Sequence, residues 1–585
     1  MPQPTVETIS TDILILGSGG AGLFAALHAY DANPSATILI VVKGLLGKSG
    51  CTRMVQGGYN VVLHPNDSLD QHFRDTIEGG AYLNDQELAW TLVKTAPDRI
   101  RELESRMGCF FDRNSDGSIH QKAFAGQSFD RTVHRGDLTG IEIMTRLMEQ
   151  VLRRNIPTLE DHRAIELLPT PSGDRVAGAL LVDIRRGTFL VVRAKATLLA
   201  TGAGPTMYKM MAPSAEKTTD GLAMAYRIGA RMVDMEMVQF HPTGLLVGDS
   251  SMSGTVLEEG LRGVGGYLFN GRMERYMGKY DPIRLERSTR DIVSRSSYLE
   301  IVAGRGSPHG GVYIDVSHLG ASFVEQNFPG MVERCRDVGF DLAREPVEVS
   351  PTAHYLMGGV KIDTACHSNL DGLFVAGEDS AGVHGANRLG GNGVACSTVF
   401  GGIAGDHMAT YIEGRSIPEV AAAQIYAVLD RIMAPFDGPS GEDVYVLLDE
   451  LKALMWEKAG LVRTANDLGR SQRVLAMMRQ RAQHVCVIGS PRLNAEWQEW
   501  LNLDSLLTVS DLIIASALER RESRGAHYRS DYPDPDDGRY IQNIYLQRDG
   551  EGMRLWLAPV QLTRLRPPAT ASPSLEQVYL AQEGE

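Results

Sequence analysis

No run of apolar residues in this 585-residue chain approaches the ~20 positions that a membrane-spanning helix needs. The N-terminus, Met1-Pro-Gln-Pro-Thr-Val-Glu7, lacks the positive start and apolar stretch of a secretory signal. Cysteine is scarce. The six residues, Cys51, Cys109, Cys335, Cys366, Cys396 and Cys486, are scattered without Cys-x-x-Cys spacing, which argues against zinc or an iron–sulfur cluster held by this chain and for reduced, mostly buried thiols. Positive charge is also in deficit. A net charge of −14 with no Lys/Arg cluster argues against nucleic acid, and an acidic substrate would need a local basic pocket. No internal repeat is evident. From these absences the chain is expected to be cytoplasmic, or associated with a membrane only through partners.

What is present is a globular balance, 43% hydrophobic and 22% charged, over a length that fits three or four domains. The most informative stretch is Asp12-Ile-Leu-Ile-Leu-Gly-Ser-Gly-Gly-Ala-Gly-Leu23. Ile13 to Leu16 read as a buried parallel strand. Gly17, Gly19 and Gly22 then fit G-x-G-x-x-G, with Gly20 inside it, so that backbone N–H groups and a helix N-terminus face a pyrophosphate. A helix over Leu23–Ala29 and a strand over Ala36–Val42 complete a βαβ unit. Lys43 stands where nicotinamide-binding units offer an acid to the ribose, which counts against NAD. Another buried strand, Ala194–Ala203, carries Thr201-Gly202 at its end, and Asp220-Gly221 opens a predicted helix.

Residues 70–165 read as helices with polar loops. Between about 231 and 349 the alternation of strand and helix breaks down into short glycine-punctuated segments, read as an inserted domain. From about 416 to 530 apolar residues recur at helical spacing, as at Val444, Leu447, Leu448, Leu451 and Leu454, and predict a helical bundle. Short strands follow over 540–566. The tail after Pro567 is rich in Pro, Ser and Thr and reads as loose. His527 and the arginines of this region read as salt-bridged surface at least as readily as functional groups.

Beyond the βαβ unit, Lys48-Ser-Gly-Cys-Thr-Arg-Met-Val-Gln-Gly-Gly58 resembles the flavin-contacting stretch of the succinate dehydrogenase and fumarate reductase flavoprotein subunits, a group that includes L-aspartate oxidase. Ala123-Phe-Ala-Gly-Gln-Ser128, Asp137-Leu-Thr-Gly140, Gln239-Phe-His-Pro-Thr-Gly244, Leu257-Glu-Glu-Gly-Leu-Arg-Gly-Val-Gly-Gly266 and Ser288-Thr-Arg-Asp-Ile-Val-Ser-Arg295 are similar to the family's further motifs, in order. So are Pro351–Gly359, Leu373–Glu378 and His384–Asn392, and Leu461–Thr464 and Glu522–Pro533 look like the corresponding region of the dehydrogenase subunits.

The resemblance implies an α/β fold: a Rossmann-like FAD-binding domain in two parts (1–230 and 350–415), an inserted α+β capping domain (231–349), a helical domain (416–532) and a short β-containing C-terminal extension (533–585). It implies hydride transfer between flavin N5 and a carbon of succinate or fumarate, with a proton moved at the neighbouring carbon. Arg290 matches the family's proton-shuttling arginine, and Glu259 and Arg262 match its relay. An arginine, whose ordinary pKa exceeds ~12, needs a desolvated, electropositive pocket to act as an acid. His241, Thr243, Glu258, His354 and Arg388 match the substrate contacts. Gly17, Gly19, Gly20, Gly22, Lys43, Ser49, Cys51, Thr52, Gln56, Gly57, Gly58, Thr201, Gly202, Asp220, Glu378, Arg388, Gly393 and Val394 are the expected cofactor contacts.

Departures qualify the carry-over. The histidine that links the flavin in many members is Cys51 here, so FAD is expected to be held without a covalent bond. The family's Thr before the relay glutamate is Glu258, its second Glu after Arg-Gly is Val264, and the Ser of its Asn-Ser-Leu is Gly393. An ionised Glu258 in the pocket opposes a substrate carboxylate by about 4 kcal/mol at an effective dielectric near 20, unless it points away, is neutralised, or meets a different substrate. The expected partners are an iron–sulfur protein, which alone carries clusters, and through it a membrane anchor or quinone-reactive protein. An L-aspartate oxidase-like or substituted-succinate enzyme without that partner is the alternative. A non-catalytic scaffold would require broken relay residues, and Glu259, Arg262 and Arg290 are all present.

Overall fold

The computed structural model describes residues 6–248, 250–438 and 441–568; apart from Pro568, the loose tail expected after Pro567 lies outside the described residues. Its centre is a seven-stranded sheet. The first strand, β1 (Val6–Leu16), runs through the glycine turn into helix α1 (Gly20–Ala32), and β2 (Ile38–Val41) returns parallel to β1 in the register Ile13↔Ile38 to Leu16↔Val41. β1 begins earlier than the apolar run because it pairs along its length with Thr188–Leu199, Val6 opposite Phe189 and Leu16 opposite Leu199. Leu373–Val375 adds to the far end of that strand, again parallel. Four parallel strands therefore end at one edge, at Leu16, Val41, Leu199 and Val375. An open α/β sheet binds its ligand at such an edge, where chain directions diverge beyond the strands' carboxyl ends.

The stretch 70–165, read from the sequence as helices with polar loops, does contain helices at Leu69–Gly79, Gln86–Glu102 and Thr139–Arg153. With Tyr59–Asn60 it also forms a small antiparallel sheet, through Thr132–Val133 and Gln121–Lys122. Two-residue strands leave no alternation to detect.

Residues 238–356 build a four-stranded sheet in the order Val238–Leu245, Val347–Leu356, Val312–Asp315, Tyr267–Phe269. It has its own apolar cluster, including Leu257, Leu261, Val293, Ile314, Met331 and Val349. The helix Arg290–Glu300 lies across the strand Val238–Leu245, tied by the Ser294 hydroxyl, which donates to the Phe240 carbonyl at 2.8 Å.

Four helices, Ala422–Met433, Val444–Lys458, Ala465–Ala482 and Ala495–Glu519, follow. Val444, Leu447, Leu448 and Leu451 are buried, whereas Leu454 is only half-buried. The expected bundle has no core of its own. Its apolar faces join the same cluster as the central sheet, with Trp497 edge-on to Phe189 at 6.3 Å between centroids. Ala495–Glu519 is long and apolar enough to cross a membrane, with a mean hydropathy of 1.4, against the sequence expectation of no such run. Its most apolar window is 78% buried within the protein, and a helix enclosed on most sides needs no polar face.

The C-terminal hairpin, Gln542–Asp549 with Gly552–Pro559, extends a five-stranded sheet through Met232–Val233 and Gly359–Lys361. The segment entering the capping region is thus stitched to the end of the chain. The stitch continues inward, against the expected surface reading: Arg463, Arg520, Arg529 and His527 are all buried. Arg520 Nε donates to Glu236 Oε1 at 2.6 Å and Nη1 to Glu522 Oε1 at 3.0 Å. The Arg463 guanidinium donates to His527 Nδ1 at 2.8 Å. Burial first, and then the guanidiniums of Arg463 and Arg520, push His527 well below the usual histidine range, so it is neutral. All six cysteines are free thiols, as expected, four of them buried.

Candidate active site

One cavity of about 640 Å³ opens at the strand-end edge. Each strand end feeds it: Gly17 after Leu16, Lys43 after β2, Thr201-Gly202 after Leu199, and Gly377-Glu378 after Val375. Gly17 has φ +110°, and a Cβ there would lie 2.1 Å from the Ala200 carbonyl oxygen, so the turn admits glycine alone. α1 begins at the cavity without a side-chain cap, and so does the 20-residue helix Asn392–Tyr411, whose Gly393 and Val394 line the wall. Two helix N-termini whose own N-cap residues, Gly19 and Gly391, offer no side chain suit an anionic group between them. Lys48-to-Gly58 runs along the same wall with only a short 3₁₀ turn at Thr52–Met54, and the Gly20 N–H donates to Thr52 Oγ1 at 3.1 Å. These residues fit a flavin dinucleotide along the strand ends.

Most of the expected cofactor residues line this cavity, but several do different work there. Gly22 is not in the lining; a Cβ would lie 2.0 Å from the Gly17 carbonyl oxygen, so this glycine lets helix and turn approach. Lys43 and Asp220 spend their charges on each other at 3.1 Å, with Arg163 reaching Asp220 at 2.7 Å and Asn502 accepting from Lys43 at 3.1 Å. Burial, then Arg163, brings Lys43 down to about 8. Glu378 is engaged by Lys217 and by the N–H groups of Leu356, at 3.1 Å, and Gly204, at 3.3 Å.

At the other end of the cavity, five separate segments converge. His241 and His354 sit on neighbouring strands, their rings 5.4 Å apart. Burial, and then the Arg290 guanidinium, hold both well below the usual histidine range, so both are neutral near pH 7. Arg388 precedes the Gly390-Gly391 turn; burial and then Arg290 lower it to about 10, and its Nε is buried without a protein partner. Arg290 opens its helix and grips Glu259 Oε2 through Nε at 3.1 Å and Nη2 at 2.7 Å. Glu259 Oε1 in turn accepts from Arg262 Nη2 at 2.8 Å. Burial works to raise Glu259, but Arg290 and Arg262 outweigh it and hold the carboxyl below its ordinary range. The result is a buried Arg–Glu–Arg chain with one end in the cavity: Arg290 and Glu259 line it, and Arg262, fully buried, does not. Thr243 is also behind the wall, its hydroxyl donating to the Leu257 carbonyl at 2.9 Å.

Glu258 does line the cavity, and the conflict anticipated from the sequence is met by a counter-ion: Lys122 Nζ pairs with Glu258 Oε1. Cys51 is also on the wall. Burial, against the opposing Lys217 ammonium, pushes its thiol up, which keeps it protonated and a poor nucleophile.

Several contributors were not among the expected site residues. Gln239 accepts from Arg290 Nη1 at 3.1 Å and donates to the Arg388 carbonyl at 2.7 Å, coupling the two arginines. Asp379 accepts from the N–H groups of Thr201 at 2.5 Å and Gly202 at 3.0 Å, fixing the second glycine turn. Asn60 Nδ2 donates to the Gly390 carbonyl at 2.6 Å, beside Gln127 Nε2 at 3.0 Å. Gln239, adjacent in sequence to the His-Pro-Thr-Gly motif, was the one most open to detection.

Residues 12–394 match the family described as FAD binding domain, and residues 448–573 match the family described as fumarate reductase flavoprotein C-term. The chain is 42% identical to an uncharacterized FAD-dependent oxidoreductase of Methanocaldococcus jannaschii, covering 94% of this chain and 97% of that one. It is 41% identical to a chain of the fumarate reductase (CoM/CoB) of Methanothermobacter marburgensis, covering 90% and 95%. Among solved structures, the Escherichia coli quinol fumarate reductase flavoprotein superposes with a TM-score of 0.91 at 33% identity, over 96% of this chain and 99% of that one.

Proposed function

The chain belongs to the FAD-dependent fumarate reductase and succinate dehydrogenase flavoprotein family, and from that premise we propose that it interconverts fumarate and succinate and exchanges electrons with an iron–sulfur partner protein. The observation that carries this reading is the Arg290–Glu259–Arg262 chain ending in a cavity lined by Arg388 and two neutral histidines. Bound FAD supplies the two-electron chemistry. The chain's own residues do the rest. Arg388, with an unpartnered Nε, binds a substrate carboxylate through parallel N–H donors, and the neutral His241 and His354 donate without adding charge. Arg290 sits at the reacting carbon and moves the proton there, and Glu259, held by both guanidiniums, passes a replacement from Arg262. Burial of all three keeps competing water from the proton path.

The FAD-loaded protein should reduce fumarate with a reduced dye as electron donor and, in reverse, reduce its flavin with succinate. Failure to turn over either compound with flavin bound would overturn the reading. The lower identity to the quinol enzyme than to the CoM/CoB relative favours a second reading for the electron source, a soluble donor in place of a membrane quinol. Co-purification tests the partner: recovery with an iron–sulfur protein supports it, whereas a chain isolated alone and fully active with oxygen removes it.

The FAD is held by contacts alone, because Cys51 is kept as a thiol and the flavin-linking histidine is absent. Acid precipitation should release the flavin to the supernatant. A fluorescent band at 63.9 kDa that disappears in Cys51→Ala would establish a thioether instead.

A further inference from the structure

We infer that Lys122 is a specificity-determining residue, the counter-ion that makes a cavity walled by the Glu258 carboxylate acceptable to a dicarboxylate. The inference rests on the proposed function and assigns a residue that touches neither substrate nor cofactor, since Lys122 is outside the cavity lining and acts through Glu258.

This chain places a carboxylate, Glu258, in the cavity wall beside the relay Glu259. The Glu258 side chain is 1% exposed, so water screens it little. Its Oε1 is paired to Lys122, and its Oε2 is buried without a partner. Other charges near Glu258 add to the difficulty. Asp137, also in the lining with a buried unpartnered Oδ2, and Glu259 on the adjacent residue are both acids. Arg334, on the helix Pro329–Arg336, donates Nη1 to the Val256 carbonyl at 2.9 Å and faces Asp137. The Glu258 N–H lies against Met331 Sδ, which offers no charge. Lys122 is therefore the cation in direct contact with Glu258. It reaches across from the strand Gln121–Lys122, held in place by pairing to Thr132–Val133. Without it, the wall opposite a bound dicarboxylate carries an uncompensated buried charge, which repels a second carboxylate far more than an exposed one would.

The test measures succinate binding to the oxidised, FAD-loaded full chain from the perturbation of flavin absorbance, so it needs no turnover. Lys122→Met should raise the Kd about thirtyfold near pH 7.5. Lys122→Arg, which keeps the charge, should stay within about threefold of the parent. Adding Glu258→Thr to Lys122→Met should recover most of the loss, because the repelling carboxylate is gone. Lowering the pH to about 5.5 should also recover more binding in Lys122→Met than in the parent, because burial, which already raises Glu258 against the pull of Lys122, raises it further once that counter-ion is removed. An unchanged Kd in Lys122→Met, or a rise that Glu258→Thr does not reverse, overturns the inference and leaves the proposed function standing. Absence of any succinate perturbation in the parent overturns both.

Discussion

Replacing Arg290 with lysine or glutamine is expected to slow substrate turnover by at least about a thousandfold, about 4 kcal/mol of barrier, while FAD remains bound. The two halves of this expectation have separate structural grounds. Flavin retention follows because the glycine turns at Gly17 and Thr201-Gly202 and the two helix N-termini belong to other segments than the helix that Arg290 opens. The rate loss follows from how Arg290 is held. Two of its nitrogens bind one oxygen of Glu259 and a third binds Gln239, a geometry that a lysine ammonium on a flexible stem cannot reproduce. Glu259 keeps Arg262 as a partner in the variant, so the carboxylate is not left unpaired and the fold survives. Stopped-flow reduction of the flavin by succinate measures the step directly. A variant that keeps more than about a tenth of the parent rate, a change below ~1.4 kcal/mol, removes Arg290 from the proton path.

Arg520→Leu is expected to destabilise the protein by about 3–5 kcal/mol without altering any residue of the cavity. Arg520 is fully buried, and its five donors reach Glu236, Glu522, the Tyr540 and Gln542 carbonyls, and, at 3.5 Å, Asp234. Its removal strands Asp234 and Glu236 in the interior and unties the capping-region entry from the last hairpin. Asp234 is already raised to about 7 by burial and then by Glu236, against the pull of Arg520. An acid whose folded value lies above its unfolded one favours the fold at low pH, and that contribution is lost as pH rises through the folded value. The variant should therefore be relatively more stable near pH 5 than near pH 8. Thermal unfolding followed by flavin fluorescence across that range tests both statements. A transition within about 2 °C of the parent at pH 8 would show that the cluster does not hold the two regions together.

The elements that local chemistry encodes were legible without a structure. The Ile13–Leu16 run, the Gly17 turn and the second strand follow from the apolar period and from the one residue type able to take φ +110°. Arg290, Glu259, His241, His354 and Arg388 were found through their short flanking motifs, and all line one cavity. The Val444–Leu451 face could be read from its spacing, but not the surface it would cover, since a helical period records that a face is buried and not against what.

Sequence by itself thus determined the dinucleotide-binding unit, the order of the motifs and the family, because each depends on residues within about ten positions of one another. Tertiary structure alone decided the rest. It paired Glu258 with Lys122 across 136 positions, turned an expected surface cluster around Arg520 into a buried tie spanning 284 positions to Glu236, and added the C-terminal hairpin to a strand at Met232. It also set Lys43 against Asp220 and gave Glu378 to Lys217. The physical reason is common to all of them. A charge in a sequence has no fixed partner until chain topology brings one to it, and whether that charge is exposed and cheap or buried and decisive depends on the desolvation that only packing imposes.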